Sequence, residues 1–216
     1  MRVRIKICGL TSREAVETAV AAGADAVGLV FADSPRRIDP GQGAALVRDL
    51  PPHVASVAVF RCPSRELVRE VLFRVVPGWI QTDAEDLARL DLPPDLRILP
   101  VFRDHHPGAL SPEDYLARCR RARPRILLER DGGEGEDSGW PRVAGLAAAT
   151  RLVLAGGLDP ENVGEAIHRV RPYGVDVSRG VELRPGVKDP VRIAAFVRAV
   201  RAAQKREAEF PRGGFR

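Results

Sequence analysis

The chain repeats one pattern eight times: a short run of β-branched or apolar residues, then a stretch with apolar positions at helical spacing. The strand-like runs fall at 3–8, 26–31, 54–60, 79–81, 97–101, 125–128, 152–155 and 174–177. The helical stretches fall at 13–22, 41–50, 65–75, 84–90, 113–119, 141–149, 161–170 and 190–203. Such alternation calls for parallel strands joined by right-handed crossovers and buried beneath their helices. An open doubly wound sheet and a closed barrel both satisfy that order, and the regularity favours the barrel. Eight units in 216 residues average about 27 each, near the lower end for a (β/α)8 barrel, so little chain remains for another domain. The expected fold class is α/β, a single (β/α)8 TIM barrel over residues 1–206. A flexible tail over 207–216 is expected to follow, where Pro211, Gly213 and Gly214 oppose regular structure.

Several helix starts are signed locally. Thr11 with Glu14 reads as a capping box, and Asp39-Pro40, Ser111-Pro112, Asp159-Pro160 and Asp189-Pro190 each set a capping oxygen before a proline at the first helical position. The fourth unit is the weakest, with a short strand and a short helix.

Composition removes several classes of function. With 29% charged residues there is no apolar run near the roughly 20 residues a membrane span needs, and residues 1–8 alternate charged and branched side chains where a signal peptide would be apolar. A cytoplasmic protein without a membrane partner is expected. Cys8, Cys62 and Cys119 are odd in number and widely spaced, which fits neither a disulfide framework nor a cysteine zinc site. Cys62 reads as a packing residue. His105 and His106 have no third ligand at a suitable spacing, so no metal is expected. The 34 basic residues against 29 acidic give +5, which permits an anionic partner such as a phosphorylated metabolite. No aromatic platform interleaves with the arginines of 118–125, and no nucleic-acid partner is expected.

In a barrel of this kind the chemistry belongs where strands end and lead into helices, often with a phosphate held after strands seven and eight. Gly156-Gly157 stands after the seventh run and Ser178-Arg179-Gly180 after the eighth. Glycine lets the backbone approach an anion, and amides at a helix start donate to it; ordinary turns use glycine as well. Cys8 closes the first strand and Glu129 the sixth. A thiol and a carboxyl facing each other across a barrel mouth form a possible base and acid pair, although a small core hydrophobe and a solvated loop carboxylate also fit these residues.

The chain resembles the phosphoribosylanthranilate isomerase family in several collinear motifs. These are Lys6-Ile7-Cys8-Gly9-Leu10-Thr11, Gly23-Ala24-Asp25-Ala26-Val27-Gly28-Leu29-Val30-Phe31, Ser34-Pro35-Arg36-Arg37-Ile38, and Leu154-Ala155-Gly156-Gly157-Leu158-Asp159-Pro160-Glu161-Asn162-Val163. Val175-Asp176-Val177-Ser178, Gly180-Val181-Glu182 and Pro185-Gly186-Val187-Lys188-Asp189 complete them, so the resemblance runs from strand one to helix eight. It implies an intramolecular aldose-ketose isomerase of tryptophan biosynthesis. Such an enzyme converts N-(5-phosphoribosyl)anthranilate to 1-(2-carboxyphenylamino)-1-deoxyribulose 5-phosphate by an Amadori rearrangement, without metal or cofactor, as a monomer or homodimer.

By the same resemblance Cys8 is the base and Glu129 the general acid, with Asp131 the alternative. Arg36 partners the anthranilate moiety, Asp176 is a polar contact near the substrate amine, and Gly156, Gly157, Ser178 and Gly180 form the phosphate cradle. That chemistry asks for a thiol with a lowered pKa and a carboxyl with a raised one. Three places depart from the family pattern. Glu129 stands for an aspartate, Gln81-Thr82-Asp83-Ala84 for glutamine-leucine-histidine-glycine, and Ser178-Arg179 for paired serines. The alternative readings are a related phosphosugar isomerase with an altered substrate and a catalytically degenerate phosphosugar-binding barrel.

Overall fold

The computed structural model describes residues 2–103, 110–118, 124–130 and 140–209. Eight strands pair in parallel and in sequence order, and the last closes on the first. They are β1 Arg4–Cys8, β2 Ala26–Val30, β3 Ala55–Val59, β4 Trp79–Asp83, β5 Ile98–Arg103, β6 Arg125–Glu129, β7 Arg151–Ala155 and β8 Gly174–Val177. The helices are α1 Arg13–Ala22, α2 Pro40–Val47, α3 Arg65–Arg74, α4 Pro112–Arg118, α5 Trp140–Ala149, α6 Val163–Val170 and α7 Pro190–Glu209. The fourth crossover is a 3-10 helix, Ala84–Arg89, and its strand runs two residues further than the apolar pattern indicated.

Side chains alternate across each strand. Ile5 and Ile7, Ile126 and Leu128, and Leu152 and Leu154 are buried in the core shared with the helices. Leu99, Val101, Leu127, Val153 and Ala155 make a second, smaller core, which fills the barrel interior. Burying each such side chain is worth about 1.5–3 kcal/mol, so the outward set holds the helices on while the inward set closes the barrel to water.

Asp39 caps α2 in a capping box with Gln42, as expected. Ser111 accepts from Asp114 N, and Asp189 from Val191 N and Arg192 N. The expected Thr11 cap is corrected: Ser12 accepts from Ala15 N, because the Thr11 hydroxyl donates instead to the Gly186 carbonyl, 3.0 Å away. Asp159 accepts from Glu161 N and Asn162 N and so closes a turn, and α6 begins only at Val163.

Two features extend the expected outline. After β8 a one-turn 3-10 helix, Arg179–Val181, leads into an antiparallel pair, β9 Glu182–Arg184 and β10 Val187–Lys188. The last helix also crosses the proposed boundary at 206/207: Glu207 pairs with His168 at 2.6 Å and with Arg171 at 2.9 Å, which ties the end of α7 to α6. Asp131, His105, His106, Cys119 and residues 210–216 lie outside the described residues. Among the described residues no helix is long and apolar enough to cross a membrane.

Candidate active site

The carboxyl ends of the strands surround a cavity of ≈630 Å³, and all eight residues singled out in the sequence line it: Cys8, Arg36, Glu129, Gly156, Gly157, Asp176, Ser178 and Gly180. The alternation of β1 accounts for its centre. Cys8 faces inward, so Lys6, two residues earlier, must face inward too. Lys6 lies in register with Asp176 of β8, and its ammonium donates to both carboxylate oxygens at 2.9 Å. The two side chains are only 6% and 8% exposed. Gly28 of β2, in register with Cys8, makes room for this arrangement: a Cβ there would stand 2.8 Å from Cys8 Sγ and 3.1 Å from Lys6 Cε.

The electrostatics correct one expectation. Burial pushes the Cys8 thiol up, and this outweighs the opposing pull of the Lys6 and Lys188 ammoniums, so the lowered thiol the chemistry asked for is absent here. An enclosed thiolate loses more hydration than two nearby cations return. Burial also works against the Lys6 charge, but Asp176 and Cys8 overcome it and raise its pKa. Asp176, expected as a polar contact near the substrate amine, accepts from Lys6 on both oxygens.

The wall beside Cys8 is densely paired. Arg36 Nε and Nη2 grip the Glu182 carboxylate at 2.7 and 2.6 Å, a two-pronged contact. Lys188 Nζ donates to the same carboxylate at 2.8 Å and to the Ser178 carbonyl at 3.0 Å. Burial opposes the Glu182 charge, yet Arg36 and Lys188 hold the carboxyl below its usual range. The Ser178 hydroxyl donates to the Cys8 carbonyl at 3.2 Å, pinning the end of β8 to that of β1. A hydroxyl proton used there is not available to a phosphate at the same time.

Two of the cradle glycines have a packing reason of their own. Gly156 sits at φ 91°, and a Cβ on it would fall 1.8 Å from the Arg130 carbonyl oxygen. On Gly180 it would fall 2.0 Å from that of Leu158. Only glycine lets these loops touch backbone to backbone.

Across the cavity the wall is thinner. Glu129 Oε2 lies 3.1 Å from Arg103 Nε, with its side chain 45% exposed, and Arg103 also donates to Asp83. One arginine thus bridges the ends of β4 and β6. Gln81 lines the cavity from β4, and its Oε1 is buried without a partner among the described residues. Cys62, read as packing, is exposed at φ 46°. Its sulfur and the carboxylates of Asp83 and Asp86 approach within 4.8 Å of one another. Arg103 and Arg89 already bind those two carboxylates, which argues against a cation there.

Comparison with known proteins decides the family. Residues 5–199 match the family model of N-(5'phosphoribosyl)anthranilate (PRA) isomerase. The chain is 43% identical to the N-(5'-phosphoribosyl)anthranilate isomerase of Pseudomonas fluorescens, over 94% of this chain and 98% of that protein. It is 41% identical to that of Bordetella petrii, over 95% and 98%. The chain belongs to the phosphoribosylanthranilate isomerase family. Among solved structures it resembles the isomerase from Thermotoga maritima, with TM-score 0.76 and 32% identity over 93% of this chain and 99% of the other. A phosphoribosyl anthranilate isomerase in complex with reduced 1-(o-carboxyphenylamino)-1-deoxyribulose 5-phosphate resembles it at TM-score 0.73, with the same identity and coverages.

The departures from the family pattern now have places. Glu129 and Asp83 share Arg103, while Arg179 is exposed at the cavity rim, with no carboxylate in ion-pair range among the described residues. Four residues of the site escaped the sequence reading. Lys6 was signalled by its period-two spacing from Cys8, and Arg103 by the same spacing beyond Val101. Glu182 and Lys188 ride on the β9–β10 hairpin, whose sign was the Pro185-Gly186 turn.

Proposed function

We propose that this chain catalyses the Amadori rearrangement of N-(5-phosphoribosyl)anthranilate to 1-(2-carboxyphenylamino)-1-deoxyribulose 5-phosphate in tryptophan biosynthesis, with Glu129 as general acid and Cys8 as general base. Glu129 gives a proton to the furanose oxygen as the C1–O bond breaks, and the amine lone pair forms the C1–N double bond. The Cys8 thiolate then takes the C2 proton, leaving an enolamine; C1 takes up a proton as the C2 hydroxyl loses one, and the 2-ketone forms. Both groups end with the protons they began with once these are exchanged through solvent.

Each role has a structural requirement. A carboxyl that donates a proton cannot keep its ion pair, so substrate binding must leave Arg103 to Asp83 while Glu129 is protonated. The thiol is held up by burial, and Lys6, one strand step beneath it, supplies the positive charge that the thiolate needs. Arg36, fixed by Glu182, presents its guanidinium to the anthranilate carboxylate. The turns at Gly156-Gly157 and Ser178-Gly180 receive the phosphate, with Arg179 beside them. All eight residues come from one chain, so the cavity needs no partner to be complete; a monomer or a homodimer in the cytoplasm is expected.

The observation that carries this reading is the convergence on one cavity of residues from β1, β6, β8 and the loops after β2, β7 and β8. Loss of the intrinsic fluorescence of phosphoribosylanthranilate on adding the protein, and rescue of a tryptophan auxotroph lacking this isomerase, are the expected results. Binding of a product analogue without turnover would support the degenerate barrel instead.

A further inference from the structure

The opposite end of the barrel holds a second cavity, ≈230 Å³, lined by Arg4, Arg97, Arg125, Trp79 and Tyr173 among others. Arg125, the first residue of β6, lies between two rings, its guanidinium carbon 4.3 Å from the Trp79 centroid and 4.7 Å from that of Tyr173. Its Nη2 donates to the Tyr173 hydroxyl at 2.9 Å, but its Nε is buried with no acceptor among the described residues. Such an atom is expensive to leave unpaired. Arg151 stands directly opposite Arg125 in the β6–β7 register, a like-charge pair that opposes strand pairing.

The charge at this end does not balance. Asp25 lines the cavity, but Arg2, Arg4 and Arg201 already bind it. Among the described residues no carboxylate comes within ion-pair range of Arg97, Arg125 or Arg151. Burial foremost, and then the like charges of Arg151, Arg97 and Arg4, push the Arg125 guanidinium down from its ordinary value. Arg97 and Arg125 line the hollow and Arg151 stands beside Arg125, so three positive charges without a carboxylate partner meet at this end; they suit a compact oxyanion, which forked N–H groups can grip together.

We propose that the amino-terminal mouth of the barrel is a second binding site, for a small oxyanion of the phosphate class, with Arg125 and Arg97 in its lining and Arg151 beside Arg125 on the neighbouring strand. The Lys6–Asp176 pair and the interior core separate it from the catalytic cavity. At ≈230 Å³ against ≈630 Å³ the hollow suits the anion alone, not a phosphoribosyl aryl amine.

The test is a titration of the full chain with inorganic phosphate, read at the Nε–H resonance of Arg125 in a nitrogen-15 proton spectrum and assigned by its loss in Arg125→Lys. This readout is local and does not depend on whether the catalytic cavity binds or turns over anything. The expected result is a saturable shift whose midpoint moves to about a hundredfold higher phosphate in the doubly substituted Arg97→Gln/Arg151→Gln protein, since each of the two lost charged contacts is worth a factor of about ten. These two residues are exposed, so the fold should survive. An Arg125 resonance indifferent to phosphate, or an unchanged midpoint in the double variant, would overturn the proposal and leave the arginines a cation–π clamp on the barrel floor.

Discussion

The two walls of the catalytic cavity are built differently. Around β8, β1 and β2, Lys6, Asp176, Glu182, Lys188 and Arg36 are each held by at least one buried charge, and Cys8 sits among them. Around β4, β5 and β6, a single arginine joins Asp83 to a half-exposed Glu129. The first wall fixes its groups before substrate arrives. The second has one ion pair to rearrange, and two of the three departures from the family pattern, Glu129 and the Thr82-Asp83-Ala84 stretch, fall there. Change is tolerated where a group can adjust, and resisted where one lost partner strands a buried charge.

The largest effect should come from the base itself. Cys8→Ala should lower kcat/KM by about 10²–10⁴-fold or more while product-analogue affinity stays nearly intact. Substantial residual turnover would remove the thiol from the mechanism. The acid wall should respond nearly as strongly to loss of its proton donor but mildly to a change of reach. Glu129→Gln should cost about 10²–10³-fold in kcat, and Glu129→Asp far less, because Arg103 and the exposed rim leave room to adjust. If Asp131→Asn does more damage than Glu129→Gln, the acid is misassigned.

Lys6 tests the buried wall. Lys6→Met leaves a buried Asp176 without its ion-pair partner, in a site whose burial already raises its pKa, so stability should fall by about 3–5 kcal/mol in urea unfolding. It also removes the cation nearest the thiol. The thiol pKa then rises further, and since the thiolate is the active form, the rising limb of kcat/KM against pH must move to higher pH. A second variant, Lys6→Met with Asp176→Leu, should recover much of the stability but only part of the pH profile, because the Asp176 charge that raises the thiol goes while the larger help of Lys6 stays lost. Full recovery of both would reduce Lys6 to a structural role. A smaller loss, about 1–3 kcal/mol, is expected for Gly28→Ala, whose new methyl meets Cys8 Sγ at 2.8 Å.

How far the sequence foretold these walls depended on what each signal was made of. The barrel followed from the order of eight apolar runs, and the strand ends carried Cys8 and Glu129 to the mouth because period-two alternation is a local property. Lys6 was legible by the same rule but invisible as a partner of Asp176, since that pair depends on the closure register between β1 and β8, 170 residues apart. The pKa of Cys8 was misjudged for a related reason. Chemistry states what the base needs, whereas burial, known only from packing, states what it has. At Gly156 and Gly180, sequence indicated close backbone approach but not that the approaching groups are the Arg130 and Leu158 carbonyls of neighbouring loops.

The last predicted effect, which vanishes at low pH, distinguishes the walls. Glu182 is held below its unperturbed carboxyl value of 4.5 by Arg36 and Lys188. A depressed carboxyl adds stability above its unfolded pKa, and that addition fades as pH falls through the folded value. Glu182→Gln should therefore be less stable than the parent by about 1.5–3 kcal/mol near pH 7, the range for hydrogen bonds to a charged group. The gap should close as pH falls below 4.5, where the parent's own carboxyl takes up a proton and both proteins leave Arg36 and Lys188 without a counter-charge. Urea unfolding of both proteins across that interval measures it. A gap that stays constant with pH would mean that Glu182 supports the hairpin through packing and neutral hydrogen bonds, and that the buried wall is less electrostatic than its ion pairs suggest.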